Sequence, residues 1–269
     1  MTTIHASAVV GKGAKLAPDV VVGPGCVIGS DVSIDSGTIL DANVVIDGNV
    51  TIGKNNHFFP SCVIGCRPQI LTLGLDAPIG GLVVGDGNVF REQATIHPSV
   101  SPDGQTKVGS GNFIMVGAHV GHDCILEDKI VMSNCVHVGG HCKIETGVWL
   151  SGIVGLHQFV TIGRWSYAAG LAGISRDVPP FLIVSGHYPQ RIRGVNRRGL
   201  QRAGLTGEQQ QRILEAYRNL YRQGGTLLDN AKVLVQEVGL DENVRAMIDA
   251  ITRSSEHQFG RHLETFRKH

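Results

Sequence analysis

A ruler of period six limits most sharply what this chain can fold into. Stepping by six from Ile4 gives Val10, Leu16, Val22, Ile28, Ile34, Leu40, Ile46, Ile52, Phe58 and Ile64, an apolar residue at every step. The register slips after Ile64, resumes at Val84, Phe90 and Ile96, and after a second gap runs from Val108 to Ile174. An amphipathic helix needs a period near 3.6 and a half-buried strand a period of 2, so neither carries this pattern. A short strand followed by a corner does, and three such hexads close one triangular turn of a parallel β-helix. Segments 65–83 and 97–107, where the register is lost, are expected to be loops thrown out of the solenoid.

Composition agrees with a thin, tightly turning core. Glycine accounts for 36 of 269 residues with no Gly-X-Y period, and aromatic residues are only 5%. Of these glycines 27 lie in residues 1–180, where they are expected at corners that need positive φ. Four of the six cysteines (Cys26, Cys62, Cys124, Cys142) fall four residues after a ruler position, and Cys66 and Cys135 show no CxxC pairing. Such thiols read as small packing groups in a reducing compartment. Met1–Leu16 lacks the charged start and apolar run of a signal peptide, and the uncharged stretch Val148–Gly163 is broken by Gly155, His157 and Gln158. No transmembrane segment and a cytoplasmic location are therefore expected.

The formal charge of +1 hides an asymmetry. Residues 1–180 carry 10 Lys/Arg against 14 Asp/Glu, whereas residues 181–269 carry 14 against 9. Two segments with different roles follow. After Val178-Pro179-Pro180 the ruler stops, and Thr206 to Gln209 forms a capping-box pattern ahead of Ile213, Leu214, Tyr217, Leu220 and Tyr221 at helical spacing. Further helical periodicity occurs near 227–238 and 241–253. The expected organisation is a solenoid over 1–180 and a small C-terminal α-helical domain over 181–269 that covers its open end. The basic stretch Arg191, Arg193, Arg197, Arg198 and Arg202 suits an acidic protein or a diphosphate, and without interleaved aromatics it does not suit nucleic acid.

Chemistry must come from residues that break the apolar pattern, and the histidines do so. His119, His122, His137, His141 and His157 fall in neighbouring coils. Residues eighteen apart stack at the interstrand spacing of about 4.8 Å. That places His137 on His119, His141 on Asp123 and Gly140 on His122. A histidine, a carboxylate and a glycine amide within one coil of each other can supply a general base and an oxyanion donor.

Ala118-His119-Val120-Gly121-His122-Asp123-Cys124, Gly139-Gly140-His141, Leu156-His157-Gln158-Phe159, Asp177-Val178-Pro179-Pro180 and Gly194-Val195-Asn196 occur in this order. Together they resemble the UDP-N-acetylglucosamine O-acyltransferase family, which acts in the first step of lipid A synthesis, and the likeness runs through essentially the whole chain. The resemblance implies a left-handed parallel β-helix, the exception to right-handed crossovers. It also implies a homotrimer with active sites between neighbouring solenoids, and acyl-acyl carrier protein as donor. His122 corresponds to the general base, Asp123 to the carboxylate orienting it, and Gly140 to the amide facing the oxyanion. Gln69, His119, His141, His157 and Gln158 correspond to positions holding sugar and donor, and Asn196 and Arg202 to nucleotide or phosphate contacts. No metal or cofactor is implied.

The sequence departs from the family where Pro68-Gln69 is followed by Ile70-Leu71-Thr72 instead of an Asp and, two further on, a Lys, with Asp76 a candidate substitute. Arg198 stands where an acidic residue is expected, and Ala203 replaces a second arginine. Two other readings are compatible with a histidine-bearing solenoid. A zinc site like that of γ-class carbonic anhydrases needs a lone histidine and then a pair five apart, unlike the spacing here. An idle solenoid that binds carrier protein or another UDP-sugar is the other.

Overall fold

The computed structural model describes residues 3–237 and 239–267. Among them, 28 strands form three sheets of eleven, nine and eight strands, parallel but for the last strand of the first, and successive hexads visit the sheets in turn. Thr3–Ile4 opens the first sheet, Val9–Val10 the second and Lys15–Leu16 the third. Pairing is in the eighteen-residue register: Val21 lies on Ile39, Val27 on Val45, and His119 on His137. The ruler residue of each hexad points inward together with the residue four further on, so Val20, Cys26, Val44 and Cys62 join Val22, Ile46 and Ile64 in one continuous core. Phe58 stacks on Phe90 with ring centroids 4.5 Å apart, which shows how little lateral space an aromatic has there.

Corner geometry corrects one expectation. From Val22 onward, most residues three after a ruler position have positive φ, but glycine fills only some of these sites, such as Gly25, Gly117 and Gly147. Asn43, Asp123, His141, Ile153, Phe159 and Leu171 adopt the same left-handed conformation. That conformation costs a non-glycine residue about 1–2 kcal/mol, and a coil locked between two others over-determines it. Many glycines instead answer to the step between coils. A Cβ on Gly121 would come 2.8 Å from the Gly140 nitrogen, and one on Gly139 2.9 Å from the Gln158 nitrogen.

The cysteines behave as packing groups. The thiols of Cys26, Cys124 and Cys142 donate to carbonyls of the following coil at 2.8, 3.1 and 3.1 Å. Burial pushes the Cys62 thiol up to about 12.

Both interruptions of the ruler leave the solenoid at one corner, between the second and third sheets. The chain leaves after Val63–Ile64 and returns at Gly81–Val84; it leaves again after Thr95–Ile96 and returns at Gln105–Val108. The returning strands are longer than the ruler implies and pair with each other over four residues.

Strand Leu182–Ser185 still pairs in parallel with Tyr167–Ala168, so the first sheet extends past residue 180 and ends in an antiparallel partner, Arg191–Val195. The cap then runs through helices α1 (Arg197–Arg202), α2 (Gly207–Tyr221), α3 (Leu227–Leu234) and α4 (Glu242–Ser255). Thr206 and Gln209 close the expected capping box of α2. The segment expected over 227–238 stops at Leu234 as a helix, and Val238 lies outside the described residues, as do His269 and Lys268 of the expected domain. Ile213, Leu220, Met247 and Ile251 form the cap's own core against Phe181 and Leu182. No helix among the described residues is long and apolar enough to cross a membrane.

Candidate active site

The corner that ejects both loops carries a stacked column of Asp123, His141 and Phe159, eighteen residues apart. His141 stacks on Phe159 with centroids 4.6 Å apart, and its ring meets that of His122 edge-on at 4.9 Å. His122 is buried, and its Nδ1 lies 2.7 Å from Asp123 Oδ2. Burial alone would raise the Asp123 pKa, but hydrogen bonds from His122, Ser99 and the Val100 amide outweigh it and hold the carboxyl below its ordinary range. An ionised carboxylate only accepts, so Nδ1–H donates, and in the neutral ring it is Nε2 that carries the lone pair. The Ser99 hydroxyl donates to Asp123 Oδ1 and the Val100 N–H to Oδ2 at 3.2 Å. The second loop therefore fixes the carboxylate that fixes the histidine.

Nε2 is aimed at Gly140, because a Cβ built there would lie only 2.5 Å from it. Any larger residue collides with the imidazole. The Gly140 N–H donates to no partner among the described residues, while its neighbour His141 N–H is engaged with His122 O at 2.9 Å. His122 Nε2 and an amide without a partner among the described residues are thus close neighbours.

Two grooves meet at His122. One, of about 540 Å³, is lined by Gln69, His119, His137, Gly140, His157 and Gln158, with His187 and Tyr188 beyond. The other, of about 710 Å³, is lined by Asp123, His141 and Phe159, and Gln158 borders both. His119 Nδ1 lies 2.8 Å from the Thr95 hydroxyl, and burial together with the neighbouring His97, His137 and His122 drops its pKa to about 4. Burial, His122 and Arg267 outweigh Asp123 and lower that of His141. Donor atoms of His122, Asp123 and His141 lie within 4.8 Å of one another, a set able to approach a metal ion but different from a three-histidine zinc site.

The structure brings Gln69, His119, His122, Asp123, Gly140, His141, His157 and Gln158 together, and Asp76 lines neither groove. It does not bring Asn196 and Arg202 to them within one chain. These two line a separate groove of about 740 Å³ with Trp149, Tyr167 and Arg198, on the first sheet. Asn196 is the N-cap of α1: its Oδ1 accepts from Gly199 N–H and its Nδ2 donates to Trp165 O at 2.7 Å. Arg202 lies over the Trp149 ring at 4.8 Å. Ser99 and Val100, which hold Asp123, and Thr95, which meets His119, carry no sequence signal of that role.

A hexapeptide solenoid whose corner presents a carboxylate-bound histidine to a free amide defines a hexapeptide acyltransferase. Residues 177–259 match the family described as Udp N-acetylglucosamine O-acyltransferase, domain 2, and residues 1–35 match the bacterial transferase hexapeptide (six repeats). An acyl-acyl-carrier-protein UDP-N-acetylglucosamine O-acyltransferase of Halorhodospira halophila is 40% identical over 255 residues, covering 94% of this chain and 98% of the relative. That of Stenotrophomonas maltophilia is 41% identical over 253 residues, covering 92% and 94%. The solved UDP-N-acetylglucosamine acyltransferase of Francisella novicida superposes with a TM-score of 0.88 at 36% identity, covering 93% of this chain and 91% of that one. The chain belongs to the UDP-N-acetylglucosamine O-acyltransferase family.

Proposed function

We propose that the chain moves a fatty acyl group, of the 3-hydroxyacyl type, from acyl-acyl carrier protein to the 3-hydroxyl of UDP-N-acetylglucosamine, the opening step of lipid A synthesis. His122 Nε2 takes the proton of that hydroxyl as its oxygen attacks the thioester carbonyl carbon. Imidazole suits this near neutral pH, and Asp123 stabilises the imidazolium that forms. The oxyanion of the tetrahedral intermediate faces the Gly140 N–H. Collapse breaks the C–S bond, and the imidazolium returns the proton to the departing carrier thiolate. A thioester is already activated, so no metal or cofactor is called for. Gln69, His119, His141, His157 and Gln158 then hold sugar and donor.

The observation that carries this reading is the approach of His122 Nε2 to the position of a Gly140 Cβ, 2.5 Å, beside an amide with no partner among the described residues. We propose a cytoplasmic location and the homotrimer that the family implies, and the separation of Asn196 and Arg202 from His122 supports a site shared between subunits, one subunit's first sheet facing another's histidine corner. His122→Ala is expected to lower transfer by about 10²–10⁴-fold with melting temperature and mass in solution unchanged. Undiminished turnover in that variant sinks the reading. Competition between UDP-N-acetylglucosamine and its 2,3-diamino analogue tests the acceptor, where the altered Gln69 loop bears most directly.

A further inference from the structure

Asp123 Oδ2 stands between two imidazoles. It lies 2.7 Å from His122 Nδ1 and 3.9 Å from His141 Nε2. Donor atoms of these three side chains fall within 4.8 Å of one another, and among the described residues no other three histidine, cysteine or carboxylate side chains do so. Ligands of a tetrahedral zinc ion, with bonds of about 2.0–2.1 Å, sit about 3.3–3.4 Å apart, and the two separations at Asp123 bracket that value. The second-sheet histidines are set wider: the His119 and His137 ring centroids are 6.3 Å apart, and His119 Nδ1 is engaged with the Thr95 hydroxyl.

The backbone and its neighbours hold the three groups in place. Asp123 and His141 share the left-handed conformation at one corner, with φ of 58° and 60°. Phe159 backs the His141 ring at 4.6 Å, while the Ser99 hydroxyl holds Asp123 Oδ1 and the Val100 N–H reaches Oδ2. Outer contacts of this kind orient metal ligands. On its remaining side the set faces the groove of about 710 Å³, whose wall includes Leu263 and Phe266. These come from the 3₁₀ turn His262–Phe266, tied to Asp177 by the His262 N–H at 2.9 Å. Apolar surface there lowers the local dielectric, which strengthens the pull of a carboxylate on a cation.

We propose that His122, Asp123 and His141 bind a divalent transition metal of the zinc class, and that the bound ion switches the general base off. The inhibitory half rests on the acyl-transfer reading of His122. Two imidazole nitrogens and one carboxylate oxygen suit such an ion, whereas magnesium and calcium prefer oxygen throughout. In the metal-free ring Nδ1–H donates to Asp123 and Nε2 carries the lone pair. A metal bond from Nδ1 takes the lone pair of that nitrogen, so the Nδ1 proton passes to water and water returns one to Nε2. The ring stays neutral, three metal–ligand bonds replace three metal–water bonds, and Nε2–H can no longer accept the proton of the sugar hydroxyl.

The test titrates the untagged full chain with Co²⁺, a coloured stand-in for Zn²⁺, and follows the visible bands of four-coordinate cobalt. One equivalent is expected to saturate the bands, Zn²⁺ to displace them, and acyl transfer to fall by about 10²-fold or more, the loss of a general base, with a chelator restoring it. His141→Gln and Asp123→Asn should lose the bands, and His137→Gln should keep them. Absence of bands in the wild type overturns the inference, as do bands that survive in both site variants or that follow His137. Bound metal with transfer undiminished overturns it as well. If both site variants fail to fold, ¹⁵N spectra of the wild type decide: Zn²⁺ should move the His122 proton from Nδ1 to Nε2, and a proton that stays on Nδ1 refutes the site. Failure of the metal-free chain to transfer any acyl group defeats the acyl-transfer reading alone, because the cobalt bands and the proton position are read without turnover.

Discussion

Two corners of the same solenoid treat one backbone group differently, most clearly in the coils around His122. Two residues after each ruler position the chain turns, and at this position the N–H has no ladder partner in the neighbouring coil. At the corner between the third and first sheets side chains take it up: Lys54 N–H donates to Asp86 Oδ1, Ser110 N–H to Asp128 Oδ1, Thr146 N–H to Glu127 Oε2 and Arg164 N–H to Glu145 Oε2. Pro18 removes the donor altogether. At the corner between the second and third sheets the corresponding N–H groups of His122, Gly140 and Gln158 donate to nothing among the described residues. An amide that binds carboxylate oxygens on one edge of the fold is suited, on another edge, to the oxyanion of a reacting carbonyl. The fold makes anion sites at its corners, and the active corner is the one where His122 faces such a site and no side chain fills it.

The comparison breaks most readily at Gly140. Gly140→Ala sets a methyl group against His122 Nε2, so kcat is expected to fall by about 10²-fold or more, with melting temperature changed far less. Gly152 has the same place in its hexad at the remaining corner, where a Cβ would meet nothing nearer than Asn134 O at 3.6 Å. Gly152→Ala is expected to leave kcat within a few-fold of wild type. Equal losses in the two variants, measured by steady-state transfer, would remove the distinction between corners.

The histidines of the second sheet sharpen it from another side. With a folded pKa of about 4, His119 resists protonation in the native chain while its unfolded counterpart titrates near 6.5. The unfolded state therefore binds protons first as pH falls, so this contribution to stability is complete above about 6.5 and is lost as pH drops towards about 4. His119→Gln should flatten that part of the pH-stability curve, recovering about 2–4 °C of melting temperature at the acid end relative to neutral pH. A variant whose curve has the same slope as wild type between those limits would show that His119 is not held neutral.

How much of this was legible beforehand follows from the range of the interactions. The ruler reports a repeated, local demand for an inward apolar residue, so core, pairing register and the stacking of His137 on His119 could be read directly. His122, Asp123 and Gly140 were legible because an eighteen-residue step links them. The supports were not: Ser99 and Val100 reach Asp123 from a loop outside the ruler, and Leu263 and Phe266 arrive from a non-periodic tail held by Asp177. Asn196 shows the reverse case, a residue with a family role whose place in the chain is set by capping a six-residue helix. Glycine was over-assigned to corners because positive φ usually requires it, whereas here stacked coils hold Asp123 and His141 in that conformation, which aims both side chains at the site.

The smallest effect lies at the satisfied corner. Asp86 Oδ1 takes the Lys54 N–H at 2.7 Å on an exposed edge, where water can replace it. Asp86→Ala is expected to cost only about 0.5–1 kcal/mol, seen as a small drop in melting temperature, with kcat and KM unchanged. The direction matters more than the size: removing an anion from an amide at this corner touches stability alone, whereas obstructing the amide at Gly140 touches turnover. If Asp86→Ala instead slowed transfer, the corners would be coupled through the stacked coils, and the free amide at Gly140 would owe its orientation to the carboxylates on the far edge.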